Sequence, residues 1–327
     1  MNLFLTGGTG FFGRALIRHW CKQSGQGVMV PRVTLLTRSA ETFQVNYPQF
    51  ADLAWLEIVT GDILELNSFP KGRVFSHVLH AATDSTLGPQ LTALERYQQI
   101  LDGTKNVLDY AVCTKAKRFL LTSSGGVYGP QPSDLAEIPE DFNQIPDPLV
   151  AANTYSIAKR AAEHLCALYQ DSSNLEVIIA RCFAFVGEDL PLEVHFAIGN
   201  FIRDALWSNQ VTIKGDGTAI RSYLDQRDLA QWLLVMLEKG QTGKAYNLGS
   251  DQAVSIRQLA ELVRDIVAPN KEVKVLSKPT STIRNRYVPN ISRAKAELDL
   301  KVSITLAEAI EHAVNSINIR ALENDSD

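Results

Sequence analysis

The sequence predicts an α/β fold in which a doubly wound parallel sheet carries a smaller C-terminal lobe. Two observations lead to this prediction. Along roughly the first half of the chain, short apolar runs alternate with amphipathic segments, as parallel strands joined by crossover helices require. The glycine-rich segment Gly7 to Gly13 also separates the first apolar run from the first helical pattern, which is typical of a strand-to-helix turn at the carboxyl edge of such a sheet.

Six apolar runs are candidate strands of this sheet. In chain order they are Asn2 to Leu5, Arg32 to Thr37, Leu56 to Val59, Val74 to His80, Arg118 to Thr122 and Val177 to Ala180. The clearest helical patterns between them cover Leu94 to Cys113 and Thr154 to Tyr169. This succession predicts a Rossmann-type domain over residues 1–182.

After Cys182 the rhythm of the sequence changes. Residues 183–327 predict a smaller α/β lobe for the substrate, with segments that interleave with the first domain. Its predicted elements are helices at Ile198 to Trp207, Arg227 to Leu237 and Leu306 to Ile319, and a short strand at Val211 to Lys214. A further helix follows Ser255, which forms a plausible capping box with Gln258.

Composition and charge limit the kind of protein this can be. With 327 residues and 45% hydrophobic content, the chain can bury a large core. Its formal net charge of -4 provides no basic field that would attract nucleic acid or an anionic membrane surface. We therefore expect no nucleic-acid partner and no membrane association, and an anionic ligand must be held by local arginines.

Cysteine usage and the N-terminus predict the compartment. The four cysteines are Cys21, Cys113, Cys166 and Cys182. They are widely spaced and show no metal-ligand spacing, so we expect reduced thiols and no metal site. The chain begins on a strand, without a leader sequence, and contains no apolar run of 18 residues. We therefore expect a cytoplasmic protein.

The glycine-rich loop is the first candidate site. It follows the apolar run Leu3 to Leu5 and precedes a helical pattern, so a dinucleotide pyrophosphate could meet a helix N-terminus there. Glycines allow the backbone to approach the phosphates closely. The predicted cofactor-binding residues of the loop are Gly7, Gly10, Phe11, Phe12 and Gly13.

Tyr155 and Lys159 form the second candidate site. Residues four apart share one face of a helix, so the ammonium could lower the pKa of the phenol and make it a proton shuttle. An ordinary surface tyrosine and lysine is the alternative, but it requires the glycine loop to be a coincidence. Together, loop and pair predict hydride transfer coupled to proton transfer.

Several motifs, in order, resemble those of one large family. They are Thr6 to Gly13, Gly61-Asp62-Ile63, His80-Ala81-Ala82, Ser123 to Gly129, Tyr155 to Lys159 and Arg221-Ser222-Tyr223. Over nearly its whole length the chain resembles the extended short-chain dehydrogenase/reductases, the branch with nucleotide-sugar epimerases, dehydratases, decarboxylases and ketoreductases. The resemblance implies NAD or NADP as cofactor, a nucleotide-diphosphate sugar as substrate, and a homodimer formed through the helices that begin near Leu94 and Thr154.

The resemblance also implies roles for the catalytic residues. Tyr155 would be the general acid/base, Lys159 would lower its pKa and hold the nicotinamide ribose, and Ser124 would hydrogen-bond the same sugar oxygen. Ser123 and Thr122 compete with Ser124, which lies four residues before Tyr128, where the family places its hydroxyl. The acidic, proline-rich stretch from 130 to 148 is expected to form a loop at the rim of the site.

Contacts to the cofactor are implied along the carboxyl edge of the sheet. The candidates are Asp62, Ile63, Ala81 and Ala82, and Asp62 could instead be a simple turn residue. An acidic residue in place of Thr37 would bind the adenosine ribose and repel a 2′-phosphate. Its absence, with Arg38 next to it, permits NADP and favours it over NAD.

Substrate contacts are implied in the second lobe. Arg221 matches the arginine that binds the diphosphate, and Asn200 lies where the family often has a phosphate-contacting asparagine. Arg286 is a second basic candidate, with Arg284 as its rival. The loop of Thr83, Asp84 and Ser85 is a reasonable place for further contacts. His80 and His195 have no metal-compatible neighbours in sequence, so we expect both to pack in the core or at the rim.

The residues after Ser124 limit the reaction. Dehydratases of the family carry an Asp-Glu pair there, and this chain has Gly125 and Gly126, which disfavours a 4,6-dehydratase. Two reactions at C4 of the sugar need only Ser, Tyr and Lys: 4-epimerisation, which family abundance favours, and NADPH-dependent reduction of a 4-keto sugar, which Arg38 favours. We expect the epimerase. A non-catalytic NAD(P)-binding module remains an alternative of another class.

Overall fold

The computed structural model describes residues 1–83, 91–192, 196–278 and 285–324, with side chains up to residue 317. Its helices are α1 (Phe11–Gly25), α2 (Ala40–Asn46), α3 (Ala93–Cys113), α4 (Thr154–Ser172), α5 (Ala197–Trp207), α6 (Gln226–Lys239), α7 (Ile256–Val267), α8 (Ser292–Leu298) and α9 (Leu306–Asn324). Four residues discussed above, Asp84, Ser85, His195 and Arg284, lie outside the described residues.

The strands include both long core strands and short two-residue pairs. They are β1 (Asn2–Thr6), β2 (Arg32–Thr37), β3 (Leu56–Thr60), β4 (His77–His80), β5 (Arg118–Ser124), β6 (Glu176–Cys182), β7 (Phe185–Val186), β8 (Gln210–Ile213), β9 (Ile220–Arg221), β10 (Leu224–Asp225), β11 (Ala245–Leu248), β12 (Val254–Ser255), β13 (Glu272–Val275) and β14 (Arg286–Tyr287).

Seven of the described strands form one parallel sheet in the order β3-β2-β1-β4-β5-β6-β11. Helices α1 and α6 pack on one face and α3 and α4 on the other, so the central strands are apolar on both sides. The chain builds outward from β1 in one direction and then returns to β4 beside it. This confirms the predicted doubly wound, Rossmann-type sheet, and it places the ligand crevice at the carboxyl ends of β1 and β4.

The C-terminal half contributes to both layers of the molecule. Strand β11 pairs with β6, and helix α6 packs against α1, so both belong to the large sheet. A separate core lies between α5, α7 and α9. The domain boundary between residues 182 and 183 and the interleaving of segments between the two lobes stay predictions. Within the described ranges, no helix has an apolar stretch long enough to cross a membrane.

Three of the described helices, α3, α7 and α9, begin with capping boxes. At α7, Gln258 N donates to Ser255 Oγ (3.1 Å) and Ser255 N donates to Gln258 Oε1 (2.9 Å), which confirms the sequence prediction. Thr92 and Glu95 make the same pair of bonds at the start of α3. The first turn of α3 is therefore fixed at the carboxyl edge of the sheet.

Strand β4 is shorter than its sequence predicts. It begins at His77, and Val74 is 65% exposed to solvent although its side chain is apolar. Ser76 N does donate to Asn2 O (2.9 Å), but regular pairing with β1 starts only at His77. The prediction of a strand from Val74 is wrong at its first three residues, because an apolar run does not reveal which of its side chains reach the core.

The stretch from 130 to 148 packs at the carboxyl edge of the sheet. Ile138 N donates to Val288 O (2.9 Å), and Asn290 N donates to Ile138 O (2.9 Å). Asn247, at the end of β11, donates from Nδ2 to the same Ile138 oxygen (2.8 Å). These bonds fasten the stretch to the segment after β14, and so hold β14 beside the ends of β5 and β6.

Candidate active site

The glycine loop after β1 packs so closely that two of its glycines have no room for a side chain. Gly7 has a φ of +74°, and a Cβ on it would lie 2.4 Å from the carbonyl carbon of Ala81. A Cβ on Gly13 would lie 2.1 Å from the Cα of Gly8. Helix α1 therefore begins directly against the ends of β1 and β4, where the strand order reverses.

The first turn of α1 is able to bind an anion. Its N-cap is Gly10, and no side chain caps the helix. The first intrahelical bond joins Arg14 N to Gly10 O (3.0 Å), so the N–H groups of Phe11 and Phe12 have no partner inside the helix. Unpartnered N–H groups at the positive end of a helix dipole suit a pyrophosphate. The loop therefore fits a dinucleotide cofactor.

A buried carboxylate holds this helix in place. Asp189 accepts hydrogen bonds from Arg14 Nε (3.1 Å) and Arg18 Nε (2.9 Å), and it is only 4% exposed. Arg14 also donates from Nη1 to the carbonyl oxygen of Thr9 (2.6 Å), inside the glycine loop. The cluster thus links the loop to the segment after β7. Nothing in the local sequence signals this contact between distant residues.

Lys159 lies buried beneath the carboxyl edge of the sheet. Its ammonium donates to Thr122 O (2.9 Å) and to Thr83 Oγ1 (2.7 Å), which leaves one further N–H. Thr83 in turn donates to the carbonyl oxygen of Ala82 (2.8 Å). Burial lowers the pKa of Lys159 to about 8. Lys159, Ala82 and Thr83 thus meet between β4 and β5, where the sequence places the nicotinamide end of a cofactor.

The three hydroxyls at the end of β5 point in different directions. Ser123 Oγ donates to Glu163 Oε1 (2.6 Å) on α4, and Thr122 Oγ1 donates to His80 O (3.2 Å). Ser124 Oγ accepts from Gly126 N (3.0 Å), and it lies close enough to the phenol of Tyr155 to lower its pKa. Of the three, Ser124 is the one that shares a site with Tyr155.

The pKa of Tyr155 is opposite in direction to the sequence expectation. Burial raises the pKa of the phenol to about 12, and the nearby Ser124 offsets only part of this. The Lys159 ammonium lies 6.0 Å from the centre of the Tyr155 ring. The groups that lower the pKa of Tyr155 are Ser124 and Arg96 rather than Lys159, and burial outweighs them, so Tyr155 carries its proton at neutral pH.

A second phenol, from Tyr287 in β14, reaches the same place. Its hydroxyl donates to Cys182 O (3.5 Å) beside Ser124, and its ring packs on Phe183 with 4.6 Å between the centroids. A Cβ on Gly125 would lie 2.6 Å from Tyr287 Oη and 2.7 Å from the Phe183 ring. The phenol of Tyr287 thus occupies the space that a side chain at position 125 would need. Sequence reasoning missed it, because its neighbours lie far away along the chain.

The adenosine end of the predicted cofactor site is formed by β2 and β3. Asp62 Oδ1 accepts from Leu64 N (2.9 Å), so the aspartate does act as a turn residue. Ile63 fits against Gly103 of α3, where a Cβ would lie 2.6 Å from its Cδ1. Thr37 ends β2, and the Arg38 side chain beyond it is exposed. Their contacts with a cofactor stay predictions.

The three residues predicted to bind the substrate lie in different surroundings. Arg221 in β9 lies beside Tyr287 of β14, and burial lowers its pKa. Arg286 donates from Nε to the Ala136 carbonyl of the packed stretch, which directs it away from the site. Asn200 Oδ1 accepts from Arg203 Nη1 (3.1 Å) on α5. Of the three, only Arg221 lies next to the group around Ser124.

His80 is a core residue, as predicted. It is 2% exposed, its Nδ1 lies 2.7 Å from Thr6 Oγ1, and its Nε2 lies 3.3 Å from Thr104 Oγ1. Burial and the charge of Lys159 lower its pKa to about 3, so the ring is neutral. It connects β1, β4 and α3.

Residues 3–249 match the NAD dependent epimerase/dehydratase family. The chain belongs to this family. The match confirms the resemblance inferred from the motifs, and it confirms that the protein is an enzyme.

Individual relatives of this protein catalyse different reactions. UDP-glucuronic acid decarboxylase 1 of Arabidopsis thaliana is 26% identical over 99% of this chain and 72% of its own length. The UDP-glucuronic acid 4-epimerase of Bacillus cereus, in complex with UDP-glucuronic acid and NAD, has a TM-score of 0.81 at 22% identity and covers 98% of this chain and 100% of that chain. RMD of Pseudomonas aeruginosa, complexed with NADPH, has a TM-score of 0.77 at 24% identity, with coverage of 98% and 99%.

These structural likenesses show the fold. The neighbours bind NAD or NADPH, consistent with the predicted cofactors.

One further residue beside Tyr155 was not predicted from the sequence. Arg96 lies in the first turn of α3, and its positive charge lowers the pKa of the Tyr155 phenol. Its Nε is buried and has no hydrogen-bond partner within the described part of the chain. The sequence gives no signal for it, since an arginine near a helix start is commonly a solvated surface charge.

Proposed function

We propose that this enzyme performs NAD(P)-dependent chemistry at C4 of a nucleotide-diphosphate sugar, as a 4-epimerase. The observation that carries the proposal is the meeting of Ser124, Tyr155 and Lys159 at the carboxyl edge of the sheet, next to a glycine loop suited to a pyrophosphate. This grouping is what removal of a hydride from a carbon and a proton from its hydroxyl requires.

In the forward half-reaction, the bound cofactor would accept the hydride from C4 of the sugar, and Tyr155 would take the proton of the C4 hydroxyl. Ser124 and Tyr155 hold the same sugar oxygen, and the reverse transfer to the other face of the ketone completes the epimerisation. Oxidised NAD(P) would supply the hydride acceptor and a cationic ring. Because the pKa of Tyr155 is about 12 in the protein, that positive charge and Lys159 together must stabilise the phenolate.

The residues proposed to bind the cofactor lie along the crevice at the carboxyl edge of the sheet. The N–H groups of Phe11 and Phe12 would bind the pyrophosphate, and the remaining N–H of Lys159 would bind the nicotinamide ribose. At the adenosine end, Thr37 and Arg38 replace the acidic residue that favours NAD. This supports NADP as the preferred cofactor.

Dehydration is disfavoured by space as well as by chemistry. Elimination of water needs an additional acid and base, and positions 125 and 126 are glycines. A Cβ at Gly126 would lie 2.6 Å from Ser156 Oγ, and one at Gly125 would meet Tyr287 and Phe183. The acid-base pair of a dehydratase therefore has neither the residues nor the room.

A second candidate is an NADPH-dependent reductase of a 4-keto sugar nucleotide. Arg38 beside Thr37 supports it, since a reductase must exchange NADPH at each turnover. Decarboxylation is a third outcome to test, because the relatives include UDP-glucuronic acid decarboxylases.

The test begins with the purified enzyme. Its near-ultraviolet absorbance reports bound reduced cofactor, and a panel of UDP-, dTDP-, CDP- and GDP-sugars, including uronic acids, is then incubated with and without NADPH. Interconversion of C4 epimers without net cofactor use supports the epimerase. Stoichiometric NADPH consumption with a 4-keto sugar supports the reductase, and carbon dioxide release identifies a decarboxylase.

The Tyr155→Phe variant separates an enzyme from a binding module. It should bind NADPH as the wild type does and lose turnover of the active sugar nucleotide. Unchanged turnover in this variant would overturn the assignment of Tyr155.

We further propose a homodimer formed through α3 and α4. A groove of about 310 Å³ between them is lined by Leu101, Asp102, Lys105, Ala161, His164 and Leu165. Leu94 and Leu168, on the same two helices, are 66% and 50% exposed. An exposed apolar surface of this kind supports an interface.

The four cysteines are free thiols, which supports the predicted cytoplasmic location.

A further inference from the structure

Arg96 and Tyr155 occupy equivalent positions on two neighbouring helices. Helices α3 and α4 each follow a strand of the parallel sheet and pack against each other, so both begin at the carboxyl edge. Arg96 lies in the first turn of α3, and Tyr155 lies in the first turn of α4. The capping box of Thr92 and Glu95 fixes the turn that carries Arg96.

The face of α3 that carries Arg96 is directed toward the sheet. Ile100, one turn further on, is 3% exposed, and Thr104, two turns on, is 1% exposed and lies 3.3 Å from the buried His80 ring. Residues at intervals of four share a helix face, so Arg96 continues this stripe toward the site. Its charge acts on the Tyr155 phenol, which agrees with that placement.

One nitrogen of the Arg96 guanidinium lacks a partner in the part of the chain that the structure describes. This nitrogen, Nε, is also buried. The carboxylate nearest to it in sequence, Glu95, is engaged by Thr92 N (2.8 Å) and Thr92 Oγ1 (2.7 Å). A buried N–H donor without an acceptor is costly, so an acceptor on a ligand bound in the site is expected to satisfy the Nε of Arg96.

The position of Arg96 determines which anion it can meet. The pyrophosphate of the cofactor belongs to the first turn of α1, and the diphosphate of the substrate belongs to Arg221 in the second lobe. Tyr155 is proposed to meet the C4 hydroxyl, and the charge of Arg96 reaches the Tyr155 phenol, so Arg96 would face substituents on the neighbouring ring carbons. On a hexose these are hydroxyl or hydroxymethyl groups, whereas on a uronic acid the substituent of C5 is a carboxylate. The planar fork of an arginine matches a carboxylate.

We propose that Arg96 binds the C5 carboxylate of the sugar and that the substrate is therefore a nucleotide-diphosphate uronic acid. This inference rests on the proposed C4 chemistry and specifies its substrate class. Arg96 is then a specificity residue, in contact with substrate.

The test compares matched substrates that differ only in this carboxylate. The pairs are UDP-glucuronic acid with UDP-glucose, UDP-galacturonic acid with UDP-galactose, and GDP-mannuronic acid with GDP-mannose. For the wild type and Arg96→Gln, Kd is measured by calorimetry and kcat/KM by product analysis. In the preferred pair, the ratio of uronate to hexose should fall about 10- to 100-fold in Arg96→Gln, the usual effect of one charge-assisted contact. Arg96→Lys should lose less, and the exposed Arg32→Gln should match the wild type.

The ratio separates this role from an effect on Tyr155. If Arg96 acts only by lowering the pKa of the phenol, Arg96→Gln reduces both members of a pair equally, the ratio stays constant, and the proposal is overturned. Preference for the neutral hexose in the wild type overturns it too, with the C4 chemistry intact. The absence of C4 oxidation for every sugar would instead overturn the proposed function itself, and uronate binding measured by calorimetry still decides whether Arg96 binds the carboxylate.

Discussion

The ammonium of Lys159 donates a hydrogen bond to the hydroxyl of Thr83 across 2.7 Å. The lysine comes from α4 and the threonine from the residue three places after β4, so the contact joins the proposed proton-transfer group to the rim of the crevice. Because the ammonium also donates to Thr122 O, two of its three protons have fixed directions. These two bonds stop the ammonium from rotating, so its third N–H also has a fixed direction.

Removing that acceptor should impair turnover. Thr83→Val is nearly isosteric but takes away the hydroxyl, and we expect kcat to fall about 10-fold, the usual effect of losing one hydrogen bond to a charged group. Thr83→Ser keeps the acceptor and serves as the control, with kcat within about 3-fold of the wild type. Steady-state kinetics on the active sugar nucleotide measures both. Equal losses in the two variants would mean that the hydroxyl has no such role.

The crowding around Gly125 should be measurable as stability. In Gly125→Ala the new methyl group meets Tyr287 Oη and the Phe183 ring, and we expect the free energy of unfolding to fall by about 1 to 3 kcal/mol. Gly215→Ala is the matched control, because no atom lies within 4 Å of a Cβ there, and it should change stability by less than about 0.5 kcal/mol. Urea denaturation gives both values. Similar results for the two variants would contradict the packing described at Gly125.

The buried Lys159 should leave a signature in the pH dependence of stability. Its pKa is about 8 in the folded protein and 10.5 ordinarily, so between these values the unfolded chain holds more protons and stability rises with pH. The buried thiols of Cys166 and Cys182 have raised pKa values and act in the opposite direction above about pH 9. They are present in Lys159→Met as well.

The difference in unfolding free energy between the wild type and Lys159→Met therefore isolates the lysine. It should shift in favour of the wild type from pH 8 to pH 10. Urea titrations at a series of pH values provide the measurement. A pH-independent difference would indicate an unperturbed pKa.

The two arginines at the second lobe should differ in their effect on substrate binding. Arg221→Met removes the guanidinium beside Tyr287, and we expect KM for the sugar nucleotide to rise about 10- to 100-fold. Arg286→Met loses mainly its bond to the Ala136 carbonyl, and KM should change by less than about 3-fold. Larger effects at Arg286 than at Arg221 would reverse the assignment.

The groove between α3 and α4 should control the oligomeric state. Ala161→Arg fills the groove with a long charged side chain, and we expect the dimer to dissociate. Met29→Arg is the control, since Met29 is 94% exposed and lies away from both helices. Light scattering measures the mass of each protein. A monomeric wild type would refute the proposed interface.

Features that depend on local spacing could be predicted from the sequence. The alternation of strands and helices gave the correct sheet, and the capping box at Ser255 follows directly from residues three apart. The choice of Ser124 over Ser123 came from the family resemblance, because the family places its hydroxyl four residues before the tyrosine at position 128. The structure agrees in that Ser123 is engaged by Glu163 while Ser124 meets Tyr155.

Features that depend on burial or on distant contacts could not be predicted. The pKa of Tyr155 rises because its surroundings exclude water, and this is invisible in the four-residue spacing to Lys159. Tyr287 and Arg96 reach the site through strand pairing and helix packing over long sequence separations. Val74 looks like a strand residue and is largely solvated, because its neighbours rather than its own side chain decide its exposure.

The close fit between Gly125 and Tyr287 has an evolutionary consequence. A descendant that acquired an acidic side chain at position 125 would first have to lose or move the phenol, which belongs to a strand from the other end of the chain. A new side chain at position 125 alone would clash with the phenol, and loss of the phenol alone would leave a cavity. The two positions are therefore expected to change together among homologues, and their joint variation would mark the point at which elimination chemistry was gained or lost in this lineage.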